Sequence, residues 1–83
     1  MGIRVNEGYR IIETVRIDTS LEVVMGQLET SYGMQYVTWR CTNANNYYYG
    51  HYFGNYEECR RDLFKRVLEL LPEGNGGQSN AAE

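Results

Sequence analysis

The most unusual chemical feature of the chain is an aromatic run at residues 47–53, which reads YYYGHYF. Tyrosine combines a large, rigid contact area with a polar tip, so a run of this kind suits a surface that recognises another molecule. In a strand, alternate side chains point to opposite faces. The pattern therefore predicts two sets of rings on two faces, Tyr47, Tyr49, His51 and Phe53 on one and Tyr48 and Tyr52 on the other.

The aromatic run leaves two interpretations open. In the first, one set of rings is exposed and contacts a partner. In the second, one set completes the core and the rest forms cross-strand pairs, which stabilise a sheet by about 0.2–1 kcal/mol each. Gly50 lies inside the run, and glycine in a strand interior marks a bulge or the close approach of another group. We expect a structural reason for it, with the ring of Trp39 or a neighbouring tyrosine covering the glycine.

Catalytic and metal chemistry are poorly supported by the remaining reactive side chains. Cys41, His51 and Cys59 form a C-x9-H-x7-C arrangement that lacks the fourth ligand and the close pairs of a structural zinc site. Both cysteines fall at apolar positions, where a thiol is inert. The chain also lacks phosphate-loop, dinucleotide, metalloprotease and nucleophile-elbow motifs. We expect no catalytic residue, no metal and no cofactor. Both thiols are expected to be reduced, and a disulfide is possible only if strand and helix bring the two cysteines together.

Four strands are predicted to position these residues. Alternating or β-branched patterns cover residues 9–17, 21–28, 34–42 and 47–53. In the first pattern, Tyr9, Ile11 and Ile17 share the apolar face, and Glu13 interrupts it, which indicates a bulge or an edge position. The links between strands are short, so neighbouring strands must be antiparallel.

One helix is predicted after the strands. Asn55 is placed to cap it, and apolar residues then recur at helical spacing up to residue 71, with Phe64, Leu68 and Leu71 widening the stripe. Its basic residues have acidic neighbours at i,i+4, including Asp62 for Arg66, which predicts a solvated, internally paired face.

The predicted fold class is therefore α+β, a ββββα antiparallel four-stranded meander with the C-terminal helix packed on one face. Residues 1–72 form a single domain, and residues 73–83, rich in Gly, Asn, Ser and Ala, form a flexible tail. A single helix would leave the other face of the sheet open.

Length and charge narrow the classes of partner. A chain of 83 residues suits one small domain. A net charge of -3 argues against nucleic acid as a partner. The chain has no apolar run long enough for a membrane span and no secretory signal at its start, so we expect a cytoplasmic protein without a membrane.

Two segments carry a resemblance to known proteins. YVTWR at residues 36–40 and NNYYYGHYF at residues 45–53, followed by a capped helix, resemble a group of small uncharacterised proteins from bacterial mobile elements and phages. The resemblance covers residues 36 to about 70. It implies an inhibitor of host defence, similar in size and charge to anti-CRISPR proteins, which act by binding.

The expected function is thus that of a non-enzymatic module that binds a protein partner and occludes its surface. The expected binding residues are Tyr48, Tyr52 and Arg40, followed by Tyr36, Tyr47, Tyr49 and His51. One alternative is a protein that binds or sequesters a small nucleotide signal by stacking of Tyr and Arg. Another is a homo-oligomeric accessory protein, a homodimer for example, whose aromatic face is its own interface.

Overall fold

The computed structural model describes residues 3–71, which form one antiparallel sheet and one helix. The elements in chain order are β1 (Val5–Asn6), β2 (Tyr9–Arg16), β3 (Leu21–Thr30), β4 (Gly33–Thr42), β5 (Asn46–Phe53) and α1 (Tyr56–Leu70). The sheet order follows the chain order, β1-β2-β3-β4-β5, so the predicted α+β meander with a C-terminal helix is confirmed. The predicted tail, residues 73–83, lies outside the described residues.

The sheet has five strands, so the predicted count of four is wrong. The additional strand β1 pairs with β2 through Asn6 opposite Tyr9. Glu7 and Gly8 alone connect the two strands, with φ values of 53° and 85°. Two consecutive positive φ values are typical of the tight turn that best joins twisted antiparallel strands. Glutamate is an unusual residue at such a position, which explains why the pattern did not reveal the hairpin.

Helix α1 packs on one face of the sheet and encloses the first core. Asn55 caps the helix as predicted, and its Oδ1 accepts a hydrogen bond of 2.9 Å from the backbone N–H of Glu58. The centre of this core consists of four buried residues, Val23, Met25, Cys59 and Leu63. The predicted widening of the apolar stripe is wrong, because Phe64, Leu68 and Leu71 are exposed.

A bulge in β2 changes which side chains face the helix. Ile11 pairs with Gly26 and Glu13 with Met25, so Ile12 is the extra residue. The predicted irregularity at Glu13 is therefore a bulge. An extra residue reverses the alternation. Tyr9 and Ile11 consequently pack on the face away from the helix, whereas Ile12 and Ile17 pack towards it, and the predicted common face of Tyr9, Ile11 and Ile17 is wrong.

The face away from the helix holds a second core. Its centre consists of Val24, Val37, Trp39 and Cys41, all buried, with Tyr9, Ile11 and Tyr47 packed against them. The sheet curls until its two ends meet through side chains. Arg4, just before β1, donates hydrogen bonds of 3.2 Å to the Tyr47 hydroxyl in β5 and 3.1 Å to Glu22 in β3. The expectation of an open sheet face is therefore wrong.

The two cysteines lie in different cores. Cys41 belongs to the second core and Cys59 to the helix-side core, and both are free thiols. The sheet itself separates them, so the structure does not bring them together for a disulfide. Among residues 3–71, no helix has the length and apolar character needed to cross a membrane.

Candidate binding surface

A second bulge, in β5, determines the direction of the aromatic rings. Thr38 pairs with His51 and Arg40 with Tyr48, so Tyr49 and Gly50 together oppose the single residue between them in β4. Tyr49 has φ of 55°, in the left-handed region that a non-glycine residue seldom adopts. The backbone strain at such a residue is about 1–3 kcal/mol.

The bulge shifts the alternation of β5 by one residue. Tyr47 and Tyr52 both face the second core, where their rings lie 5.5 Å and 6.3 Å from that of Trp39. Tyr48 lies on the helix side, opposite Arg40. His51 also lies on the helix side, where its Nδ1 is 2.9 Å from Asp62 Oδ2. The predicted grouping of Tyr47 with His51, and of Tyr48 with Tyr52, is therefore wrong.

Gly50 has the structural role expected of it. A Cβ at this position would lie 2.8 Å from Trp39 Nε1 and 2.9 Å from Tyr52 Cε1, closer than carbon atoms normally approach. The absence of a side chain at Gly50 thus accommodates both the bulge and the close approach of the Trp39 and Tyr52 rings.

Replacing Gly50 with alanine is expected to lower the free energy of unfolding by about 1–3 kcal/mol, because Trp39 is packed on all sides and cannot move aside. The measurement is the urea unfolding midpoint. Gly54→Ala is the matched control, since a Cβ at Gly54 meets nothing within 4 Å, and it should change the free energy by no more than about 0.5 kcal/mol. Equal midpoints for the two variants would contradict the packing argument.

The predicted binding residues separate into buried and exposed groups. Tyr36 packs on Tyr56 of the helix, with ring centroids 5.6 Å apart, and Tyr47 is held by Arg4, so both serve the cores. Tyr49 and Tyr52 are 66% and 54% exposed. Tyr52 also stands against Tyr9, with ring centroids 6.0 Å apart, so its inner edge belongs to the second core and its outer edge to the surface.

A cluster beside the β5 bulge, on the side of the sheet that faces the helix, consists of Arg40, Tyr48 and Tyr49. The guanidinium carbon of Arg40 lies 5.4 Å from the ring centroid of Tyr49, a cation–π distance. The rings of Tyr48 and Tyr49 meet edge to face at 5.0 Å. Arg40 Nε is buried and has no hydrogen-bond partner among residues 3–71.

A polar network beside this cluster connects strands β4 and β5 to the helix. Arg66 Nη1 donates to the Thr38 hydroxyl at 3.0 Å, and that hydroxyl donates to Asp62 Oδ2 at 2.6 Å. The same carboxylate oxygen contacts His51. Burial lowers the pKa of Arg66, and the positive charge of Arg40 acts in the same direction, while Asp62 partly opposes the shift.

The predicted solvated face of the helix is wrong at Arg66. This residue is 5% exposed, and its guanidinium donates hydrogen bonds to Thr38 on the helix-facing side of the sheet instead of forming an ion pair with Asp62. Its position three residues after Leu63 puts it on the buried side of the helix, and this spacing was the signal that could have found it.

The thiols and acidic groups offer little reactive chemistry. Burial raises the pKa of the Cys59 thiol to about 12 and also raises the pKa of Cys41. Thiolate is the nucleophilic form, so neither sulfur is activated. Within the described range 3–71, no cluster of three or more His, Cys, Asp and Glu side chains could hold a metal ion.

Strand β5 is also an edge strand. It pairs with β4 and ends the sheet, so within residues 3–71 its outer side has no strand partner. Its eight residues, NYYYGHYF, include no Asp, Glu, Lys, Arg or Pro. Natural proteins usually protect a long edge with such residues, and a protected edge resists pairing with other chains. Here only the bulge interrupts the edge.

Comparison with protein-family models, with curated proteins and with solved structures finds no match to this chain. The geometry of the β5 edge and of the side chains around it is therefore the basis for the function proposed below.

Proposed function

We propose that the protein is a non-enzymatic protein-binding module whose docking site is the outer edge of β5. The observation that carries this proposal is an uncharged, eight-residue edge strand that displays the exposed rings of Tyr49 and Tyr52. An extended segment of a partner can add to such an edge through backbone hydrogen bonds, while side-chain contacts supply specificity.

The flanking side chains support the same role. Tyrosine and arginine are enriched among the residues that dominate the energy of protein interfaces. Arg40 and Tyr48 flank the edge on the helix side, and Tyr52 flanks it on the other side. Contacts with Arg40 and Tyr48 restrict the ring of Tyr49 before any partner arrives, so the ring loses less freedom on binding.

The resemblance of residues 36–53 to small proteins of bacterial mobile elements and phages supports a more specific form of the proposal. In this form the partner is a component of a host defence system, and the module inhibits it by covering a working surface, as anti-CRISPR-like proteins do. Occlusion requires only a rigid surface with anchoring rings, which the β5 edge supplies.

The experiment is affinity capture from a bacterial host lysate with identification of bound proteins by mass spectrometry, followed by titration of the captured protein. Tyr49→Ala is expected to weaken binding at least about tenfold, since truncation of an interface anchor typically has effects of this size or larger. Tyr32→Ala is the matched control, because Tyr32 is 96% exposed in the β3–β4 turn, away from β5. If Tyr49→Ala and Tyr52→Ala each bound the captured protein with wild-type affinity, that result would contradict the proposal.

Self-association is a second candidate, and exposed apolar side chains on the outer face of the helix, Phe64 and Leu68, favour it. In this case the captured protein is the chain itself, and light scattering across a dilution series shows dimers that dissociate. A monomer at every concentration contradicts this candidate and leaves the docking proposal unaffected.

A further inference from the structure

Two arginines on the helix side of the sheet have incomplete sets of partners. Arg66 is almost fully buried, and its Nη1 donates to the carbonyl oxygen and the hydroxyl of Thr38, at 3.2 Å and 3.0 Å. Within residues 3–71, no carboxylate lies within 4.0 Å of its guanidinium. A buried cation normally has a close anionic partner, so Arg66 is unusual.

Arg40 lies on the same face of β4 as Thr38, the residue that Arg66 contacts. It follows Thr38 by two residues, a spacing that separates the Cα atoms of Thr38 and Arg40 by about 7 Å. Its Nε is buried without an acceptor among the described residues, and its guanidinium stacks on Tyr49. A buried donor without a partner is unfavourable, and an acceptor that enters the site would remove the penalty.

The nearby acidic groups do not fill this role. Asp62 directs its Oδ2 to Thr38 and His51, at 2.6 Å and 2.9 Å. Glu69 attracts Arg66 from one turn further along the helix but forms no ion pair with it in residues 3–71. Neither guanidinium group forms an ion pair with an acidic side chain among residues 3–71.

We propose that Arg40 and Arg66 bind a phosphate-type oxyanion beside the β5 bulge, with the rings of Tyr48 and Tyr49 forming its wall. Two planar guanidinium groups match the charge and the several acceptor oxygens of a phosphate group. The exposed face of Tyr49 provides a stacking surface for a base when the phosphate belongs to a nucleotide. This inference is independent of the docking proposal, because it needs no partner strand on β5.

The test is a titration of the full chain with inorganic phosphate, AMP and adenosine, compared with sodium chloride at equal ionic strength. Isothermal titration calorimetry gives the dissociation constant, and the thermal unfolding midpoint gives a second readout. A ligand that binds only the folded state must raise the midpoint. We expect phosphate and AMP to raise it and sodium chloride not to do so. If AMP binds more tightly than phosphate, the bound phosphate group belongs to a nucleotide. If the two bind equally tightly, the natural ligand is free phosphate or a phosphate group carried by a protein.

Substitutions test whether Arg40 forms the proposed phosphate site. Arg40→Gln is expected to weaken phosphate binding at least about tenfold, and Arg40→Lys, which keeps the charge but loses Nε and the fork, to weaken it to a similar degree. Arg61→Gln is the control, because it removes the same charge from an exposed position on helix α1. No response to phosphate beyond that to chloride, unchanged binding in Arg40→Gln, or binding of adenosine as tight as that of AMP would each overturn the proposal.

Discussion

Replacing Trp39 with alanine is expected to lower the free energy of unfolding by about 3–5 kcal/mol, the usual range for truncation of a buried aromatic residue. Trp39 is 3% exposed and contacts the rings of Tyr9, Tyr47 and Tyr52 edge to face. A domain of this size has a total stability of roughly 4–10 kcal/mol. The substitution should therefore leave a measurable fraction unfolded at 25 °C.

Two comparisons make this expectation decisive, with urea unfolding followed by circular dichroism as the measurement. Leu63→Ala, in the core under the helix, should lose about 2–5 kcal/mol, and Tyr32→Ala, in an exposed turn, no more than about 0.5 kcal/mol. If the face away from the helix contributed little, Trp39→Ala would resemble Tyr32→Ala. A result of that kind would show that the second core is not closed in solution.

The order and type of the elements from β2 to α1 could be predicted from the sequence, because local signals agree there. The period-two pattern of β3 correctly places Val23 and Met25 on one face and Val24 on the other. The cap at Asn55 correctly starts the helix. In each case the governing interaction acts within a few residues, so the sequence pattern contains it.

Beyond the bulges of β2 and β5, the sequence pattern could not predict which face of the sheet each side chain lies on. One additional residue reverses every later side chain, and its position depends on the register with the neighbouring strand. Ile12 shows this in β2 and Tyr49 in β5. Gly50 indicated either a bulge or the close approach of another group, but no local signal predicted that Tyr47 would turn towards Trp39.

The curl of the sheet could not be predicted either, because contacts distant in sequence stabilise it. Arg4 reaches Tyr47 over 43 positions, and the Tyr52 hydroxyl approaches Glu7 over 45. The same limitation applies to Arg66, whose partner Thr38 is 28 positions away. Most of the predicted binding residues lie on β5, which the structure places at an edge of the sheet.

Because side chains are buried on both faces of the sheet, the exposed aromatic surface is smaller than expected from an open face. An open sheet face would present many rings at once, whereas the closed second core leaves only the outer parts of Tyr49 and Tyr52 available. Under the proposed function, recognition would therefore be concentrated at the edge of β5 and not on a face. The rigid core behind Tyr52 holds the edge in one geometry, which favours the addition of a partner strand.

Raising the pH from 9 to 12 is expected to weaken the fold through Cys59. This thiol is buried among Val23, Met25 and Leu63, and burial raises its pKa from an ordinary value of 9.0 to about 12, with Asp62 acting in the same direction. In this window the unfolded chain loses the thiol proton while the folded chain keeps it. The free energy of unfolding should therefore fall by about 1 kcal/mol for each pH unit, and this contribution should be constant below pH 9.

The measurement is the urea unfolding free energy of the wild type and of Cys59→Ala at pH 8, 9, 10 and 11. Tyrosines, basic groups and Cys41 titrate in both proteins, so the difference between the two isolates the Cys59 thiol. That difference should change little from pH 8 to 9 and then shrink, because only the wild type has the Cys59 thiol, whose ionisation favours the unfolded state. A difference that stays constant up to pH 11 would show that water reaches Cys59, and iodoacetamide would then label it in the folded protein.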